Sequence, residues 1–323
     1  MRMLALSAFA VALFALLPAS ASAESYPSRT VSVVVPFPAG GSVDGVARIL
    51  VQKLNETVGQ HFIVENRPGG ASGTVGANAV AKAPPDGYTL LLSASVHVIN
   101  PFLYKSVPYD VVSDFTPVSL LADGPLIVST TPSVPADNLK DFFDLVRKAP
   151  QKYTFGTTSI GSASHLAIEL LKRDAGLDTL VVAYKGTAPA LTDLMSGQIQ
   201  LLADPMLSSL PLAQGGKIKA LGLTSLKRAA AAPEIPTVEE SGVKGFQLVS
   251  WYGLWGPKSL PADVSDKLQT DIAKVLALAD TRQRLSTLGF EAIGMGGAQF
   301  AAYIRDEMAK YETIIRDAKI RVE

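Results

Sequence analysis

The chain is 323 residues long, with 29 basic and 29 acidic side chains, three histidines, no cysteine and 48 % hydrophobic residues. That charge balance argues against nucleic acid or an anionic membrane surface as a partner, and the missing cysteine excludes disulfides, thiol nucleophiles and a lipidated N-terminal cysteine as a tether. The length supplies core enough to do without disulfides and predicts two lobes rather than one.

Arg2 is followed by a nearly unbroken apolar run over 3–17, then by Pro18 and small residues to position 23, among which Ala21-Ser22-Ala23 is an A-x-A cleavage pattern. Residues 1–23 read as a secretory signal peptide and are set aside from the fold. The run is too short to span a bilayer comfortably, and no later stretch approaches the needed length. The expected product is a freely diffusing resident of a bacterial periplasm.

The first folded stretch, residues 31–54, is VSVVVPFPAGGSVDGVARILVQKL. Its valine run suits a strand buried on both faces, and Val43, Val46, Ala47, Leu50 and Leu54 recur at helical spacing. In the loop between them, Phe37, Pro38, Ala39, Gly40 and Gly41, the two glycines let backbone N–H groups approach a ligand. Ser42 is a candidate N-cap and Asp44 lies in the first turn. A helix N-terminus over such a loop favours an anion, most often phosphate or carboxylate. An ordinary capped βα turn with nothing bound fits the same residues.

A second strand is predicted over 61–65, a glycine-rich loop over 66–73, a helix over 74–83, a turn at Pro84-Pro85-Asp86-Gly87 and a third strand over 88–92. The alternation implies a largely parallel sheet. Residues 93–100, starting with Ser93 and Ser95, are expected as a loop at a strand end, where ligands of open α/β sheets bind. Between 118 and 130 two apolar runs flank Ala122-Asp123-Gly124-Pro125, read as a crossover into a second lobe.

There the pattern restarts. Asp137 or Asn138 caps a helix to Lys148, a strand covers 153–156, and the small-residue loop of Thr157, Thr158, Ser159, Ile160, Gly161, Ser162, Ala163 and Ser164 leads into a helix over 165–174. This repeats the opening stretch, so two anion-receptive helix ends from two lobes would form a clamp if they faced each other. A strand over 180–183 precedes a loop with Tyr184, Lys185 and Thr187, a helix to Met195, and a strand over 199–203 ending at Asp204-Pro205. Residues 219–223 and 246–255 are strand-like, the latter taken as the return crossover, and residues 261–278, 281–288 and 297–318 are expected to be helical. The resulting lobes are 24–123 with 249–323, and 124–248.

Enzyme chemistry finds little support. No stretch matches G-x-S-x-G, the loop at 69–76 lacks G-x-G-x-x-G, and Gly215-Gly216-Lys217 lacks the rest of a P-loop. His61, His97 and His165 are isolated from one another, so no metal site is expected and no cofactor is implied. His165 stands either as a ligand contact, as a loop-orienting hydrogen bond or as a structural helix start. A serine–histidine pair with Ser162 or Ser164 is disfavoured, because sequence neighbours on a helix do not face each other. Lys185 and Arg67 are placed to meet an anion or to be solvated charges. Asp204 is read as a contact for a ligand hydroxyl or ammonium, or as a helix cap. Trp251 and Trp255 fit core or hinge packing better than a stacking platform.

In order along the chain, VVVPFPAGGSVDGVARIL, VENRPGGASGTVGANAVAKAPPDGYTLLL, VAYKGTAPALTDLMSGQIQ, LPLAQGGKIKALGLTS and WYGLWGP resemble the Bug, or TctC-like, family of substrate-binding proteins of tripartite tricarboxylate transporters. The likeness runs from about Tyr26 to the C-terminus. It implies a type II periplasmic-binding-protein fold, two Rossmann-like α/β lobes closing on a small organic acid, and no catalysis. It implies that one ligand carboxylate is held through backbone groups and ordered waters by the loop from Phe37 to Asp44 and by the opposing loop from Thr157 to Ser164. The far end of the ligand would meet the stretches Ser93 to His97, with Ser93 and Ser95, and Tyr184 to Thr187, with Tyr184 and Thr187, together with Asp204. The implied partner is a cognate two-component membrane permease, with the binding protein a monomer. A ligand-dependent sensory role at a membrane receptor would leave the same sequence.

Overall fold

The computed structural model describes residues 26–59 and 61–320; the expected signal peptide lies outside them. From the N-terminal side β1 (Val31–Val35), α1 (Ser42–Val58), β2 (Phe62–Asn66), α2 (Thr74–Ala81) and β3 (Thr89–Ala94) alternate as the patterning predicts, and α3 (Val96–Leu103) follows. Val31, Val33 and Val35 pack on one core with Val46, Leu50 and Leu54 of α1, while Val34 faces the other. The valine run is thus buried on both faces, as a central parallel strand requires.

Next comes β4 (Phe115–Thr130), then α4 (Leu139–Lys148), β5 (Thr154–Thr157), α5 (Ala163–Ala175), β6 (Leu180–Ala183), α6 (Thr187–Ser196), β7 (Leu201–Pro205), α7 (Met206–Gln214) and β8 (Lys219–Leu223). The chain returns through β9 (Val249–Pro257) and ends with α8 (Ala262–Ala277), α9 (Ala279–Thr287), β10 (Glu291–Gly296) and α10 (Gly297–Asp317). Asn138 caps α4, its side chain accepting from the Asp141 N–H at 2.9 Å.

All strands join one sheet in the order β2-β1-β3-β9-β4-β7-β5-β6, with β8 and β10 also on β4. Strands β1, β2 and β3 are parallel. Because β9 is antiparallel to both β3 and β4, β4 runs in their direction. In the other half β5, β6 and β7 are mutually parallel and antiparallel to β4. Ala94, at the carboxyl end of β3, lies opposite Tyr252, which lies opposite Ala122; Pro205, at the carboxyl end of β7, lies opposite Leu126. The carboxyl ends of both sets of parallel strands therefore converge on residues 122–126 from opposite directions.

Two stretches depart from the sequence reading, and one strand lies where it makes no assignment. Residues 93–100 are the last turn of β3 and most of α3 rather than a loop, with Ser93, Ser95 and His97 all buried. The crossover at Ala122-Asp123-Gly124-Pro125 is one continuous strand. Pro125, which has no N–H to donate, sits where the neighbours of β4 change from β9 and β10 to β7 and β8. The three helices expected over 261–318 form as α8, α9 and α10, and between the last two Glu291–Gly296, which the sequence reading leaves unassigned, forms β10, antiparallel to β4 with an irregular register. The two tryptophans are fully buried with Phe300 and Tyr303 under the crossover, which makes them core.

Candidate functional site

The loop after β1 presents Pro38, Ala39, Gly40 and Gly41 as exposed backbone, with Phe37 and Ser42 half-buried at its ends. Gly41, in extended conformation, is the N-cap of α1, so Ser42 is its first helical residue and makes no capping bond. Gly40 has φ +87°, a conformation that favours glycine, and the space a Cβ would take there is open, with no neighbour within 4 Å. The loop is braced from behind by Asp44. One carboxylate oxygen accepts from the Gly40 N–H at 2.9 Å and from Arg48 Nε at 2.8 Å; the other accepts from Asn66 Nδ2 at 3.0 Å. Asn66 also donates to the Phe37 carbonyl at 3.1 Å. Burial alone would raise the Asp44 pKa, but the hydrogen bonds from Arg48, Gly40 and Asn66 prevail and hold it below the usual carboxylate value. The Gly40 amide is thus spent internally, which leaves the first-turn amides of α1 as the outward donors.

Across the crossover, the loop after β5 is tied by its own hydroxyls. Thr158 N donates to Ser164 Oγ at 3.1 Å, Ser162 Oγ donates to the Ser159 carbonyl at 2.8 Å, and Thr157 Oγ1 donates to the same carbonyl at 3.2 Å. Ser162 caps α5 by accepting the His165 N–H at 3.3 Å. His165 Nδ1 in turn accepts the Gly161 N–H at 3.1 Å, and burial, then Lys172, push its pKa down to about 4. His165 is therefore a neutral loop-orienting acceptor and does not face a serine as a base. Gly161 has φ +73°, and a Cβ there would stand 1.8 Å from Leu103 Cδ1, so this glycine accommodates α3 rather than a ligand. That contact also brings the second loop against the first half of the molecule. The amides of Ala163 and Ser164 are those a helix start leaves free.

The loop after β6 docks on the second one, Tyr184 N donating to the Thr157 carbonyl and Gly186 N to the Thr158 carbonyl. The Tyr184 hydroxyl is engaged by Asp193 at 2.6 Å. Thr187 Oγ1 donates to Asp204 Oδ1 at 2.8 Å and Ser209 Oγ donates to Oδ2 at 3.0 Å, so Asp204 is held by hydroxyls within fully buried surroundings. Burial pushes the Asp204 carboxyl up to about 7 against the pull of these donors. Of the two basic residues singled out, Arg67 pairs with Glu65 at 2.6 Å and Lys185 is exposed. Ser93 and Ser95 sit in the strand end level with Tyr252, and His97 lies in the core against Tyr109, Phe115 and Trp255. Among the described residues no group of three or more histidines and carboxylates is placed to hold a metal ion.

Sequence reasoning missed Asn66, Arg48, Ser209 and Tyr252. Arg48 stands four residues after Asp44, a helical ion-pair spacing that was legible. The others come together only through strand register.

Two α/β halves with strand ends facing each other across a crossover, each half carrying a helix N-terminus behind its loop, have the architecture of periplasmic binding proteins. The family model described as "Tripartite tricarboxylate transporter family receptor" matches residues 46–320, and the chain belongs to this TctC, or Bug, family. Its fold is similar to that of the periplasmic binding protein BugD, 36 % identical, with a TM-score of 0.82 over 92 % of this chain and 100 % of that one. Rpa4515 of R. palustris with adipate is 34 % identical, TM-score 0.86, over the same shares. MatC from Rhodopseudomonas palustris with bound malate is 33 % identical, TM-score 0.80, over 90 % and 100 %. Family and fold are those of solute-binding receptors, and no helix among the described residues is long and apolar enough to cross a membrane.

Proposed function

We propose that this protein captures a small organic mono- or dicarboxylate in the periplasm, closes over it as a monomer and delivers it to a cognate two-component membrane permease. The observation that carries this is the convergence of both sets of strand carboxyl ends on residues 122–126, since ligands of open α/β sheets lie outside such ends. The adipate and malate of the two R. palustris neighbours support a carboxylate as the ligand class. In this reading the lobes are 24–123 with 249–323, and 124–248, and the signal peptide is removed on export. One carboxylate is held between the loops of 37–44 and 157–165 through first-turn amides, Ser42 and ordered waters, and Ser93, Ser95, Tyr184, Thr187 and Asp204 shape the remaining pocket. The chain binds and releases its ligand unchanged.

A thermal-shift screen over organic acids tests this. A ligand at a hundred times its Kd raises native stability by about 2.7 kcal/mol, and at least one acid is expected to do so. Gly41→Val is the control: its Cβ meets only the Pro38 carbonyl, at 3.9 Å, and its backbone is in a region open to any residue, so the fold stays while the loop is blocked. A panel without any shift, or an equal shift in the variant, overturns the assignment.

A further inference from the structure

Tyr252 belongs to no loop, yet its side chain reaches the same place. It stands on β9 between Ala94 and Ala122, level with the carboxyl end of β3. The ring is fixed edge-on against Phe290 at 5.0 Å and packed in the valine-rich core beneath α1. The residue is fully buried, and its hydroxyl makes no hydrogen bond among the described residues. Burial raises its pKa, with Asp204 and Asp123 adding to the rise; Ser250 and Ser42 are close enough to oppose it without reaching hydrogen-bonding geometry. An orphan hydroxyl in a packed interior is uncommon, because the group has given up water for nothing. Of the two serines beside the hydroxyl, Ser250 lies on β9 itself and Ser42 is the first residue of α1, at the helix N-terminus.

We propose that Tyr252 is a positioning residue for carboxylate capture: its buried hydroxyl pairs with Ser42 Oγ when a ligand occupies the N-terminus of α1, aligning the Ser42 O–H toward the ligand. The pairing rests on the reading of this cleft as a carboxylate site. A serine hydroxyl both donates and accepts, so Ser42 gives its proton to the carboxylate while accepting the tyrosine O–H. In the unliganded chain the tyrosine hydroxyl waits without a partner, so it contributes to binding and not to folding.

Tyr252→Phe tests this, because it keeps the ring against Phe290 and removes only the hydroxyl. The probes are succinate, L-malate and adipate, measured by titration calorimetry, with the melting temperature of each unliganded variant recorded in parallel. The expected result is a melting temperature unchanged or raised for Tyr252→Phe, a loss of about 3- to 10-fold in affinity for whichever probes bind, and no further loss from Tyr252→Phe when it is made in a Ser42→Ala background. A purely structural tyrosine would lower the melting temperature and leave affinity alone, which overturns the proposal; so does a double variant whose losses multiply. If no probe binds the wild-type chain, the carboxylate reading fails first and the positioning role falls with it.

Discussion

Asp204 and Asp44 are both buried carboxyl groups beside the crossover, and they answer pH in opposite directions. Asp44 is held below the ordinary range by Arg48, Gly40 and Asn66, so its contribution is present above the unfolded value of 3.8 and lost as pH falls below it. Asp204 is raised from 3.8 to about 7 by burial, so the unfolded chain gives up this proton long before the native one. Its linkage therefore favours the native state at low pH and is lost as pH rises from about 4 to about 7. Asp204→Asn is expected to flatten the fall in thermal stability across that window, as measured by melts at constant ionic strength. Asp123, raised to about 6 by burial and by Glu291 and Glu307, leaves a residual slope of the same sign. A variant with the wild-type slope would place the Asp204 proton elsewhere. Nothing in the sequence announces this shift, because an aspartate before a proline at a strand end looks like a helix cap. Its burial is decided by Ile127, the residue opposite it on a strand 77 positions earlier.

At the scale of elements, the βα units were legible because each carries its own signal. The valine run, the PFPAGG turn and the helical spacing of Val46, Leu50 and Leu54 are local facts, and so is Asn138 as a cap. The continuity of β4 was not legible, since Asp123-Gly124-Pro125 has turn chemistry and only the exchange of neighbouring strands keeps it extended. Gly124 shows the constraint: a Cβ there would stand 2.6 Å from the Gly289 carbonyl. For the loop after β1, the sequence pointed to glycines, whereas its geometry depends equally on Asp44, which Asn66 of β2 and Arg48 of α1 hold in place. These partners are not equivalent. Arg48 is 57 % exposed and Asp44 3 %, so Arg48→Ala is expected to cost no more than about 1 kcal/mol. Asp44→Ala removes at once the charged acceptor shared by the Gly40 amide, Arg48 and Asn66, at a cost of about 1.5–3 kcal/mol. Denaturant unfolding of the two variants checks the order, and equal losses would mean that the ion pair, rather than the backbone brace, holds the loop.

For the whole molecule, the decisive fact is that β4 passes from one half to the other without a break, its first part beside β9 and its last part beside β7, while the parallel strands of each half point their carboxyl ends at that passage. On the proposed reading a ligand lying there meets α1 on one side and α5 on the other, and gains its full set of contacts only when the halves approach. Such differential contact is what shifts a population of conformers. A carboxylate that raises the melting temperature is therefore expected to reduce the radius of gyration in small-angle scattering as well, in proportion to occupancy. Gly41→Val, which blocks only the first half, should remove the compaction entirely rather than halve it, because a ligand resting on α5 alone has no contact with which to pull α1 across. Compaction retained in that variant, or binding by the wild-type chain with no change in radius, would mean that the halves are already fixed by their direct contacts, Leu103 on Gly161 and Leu207 beside Gly45, and that the cleft admits its ligand without moving.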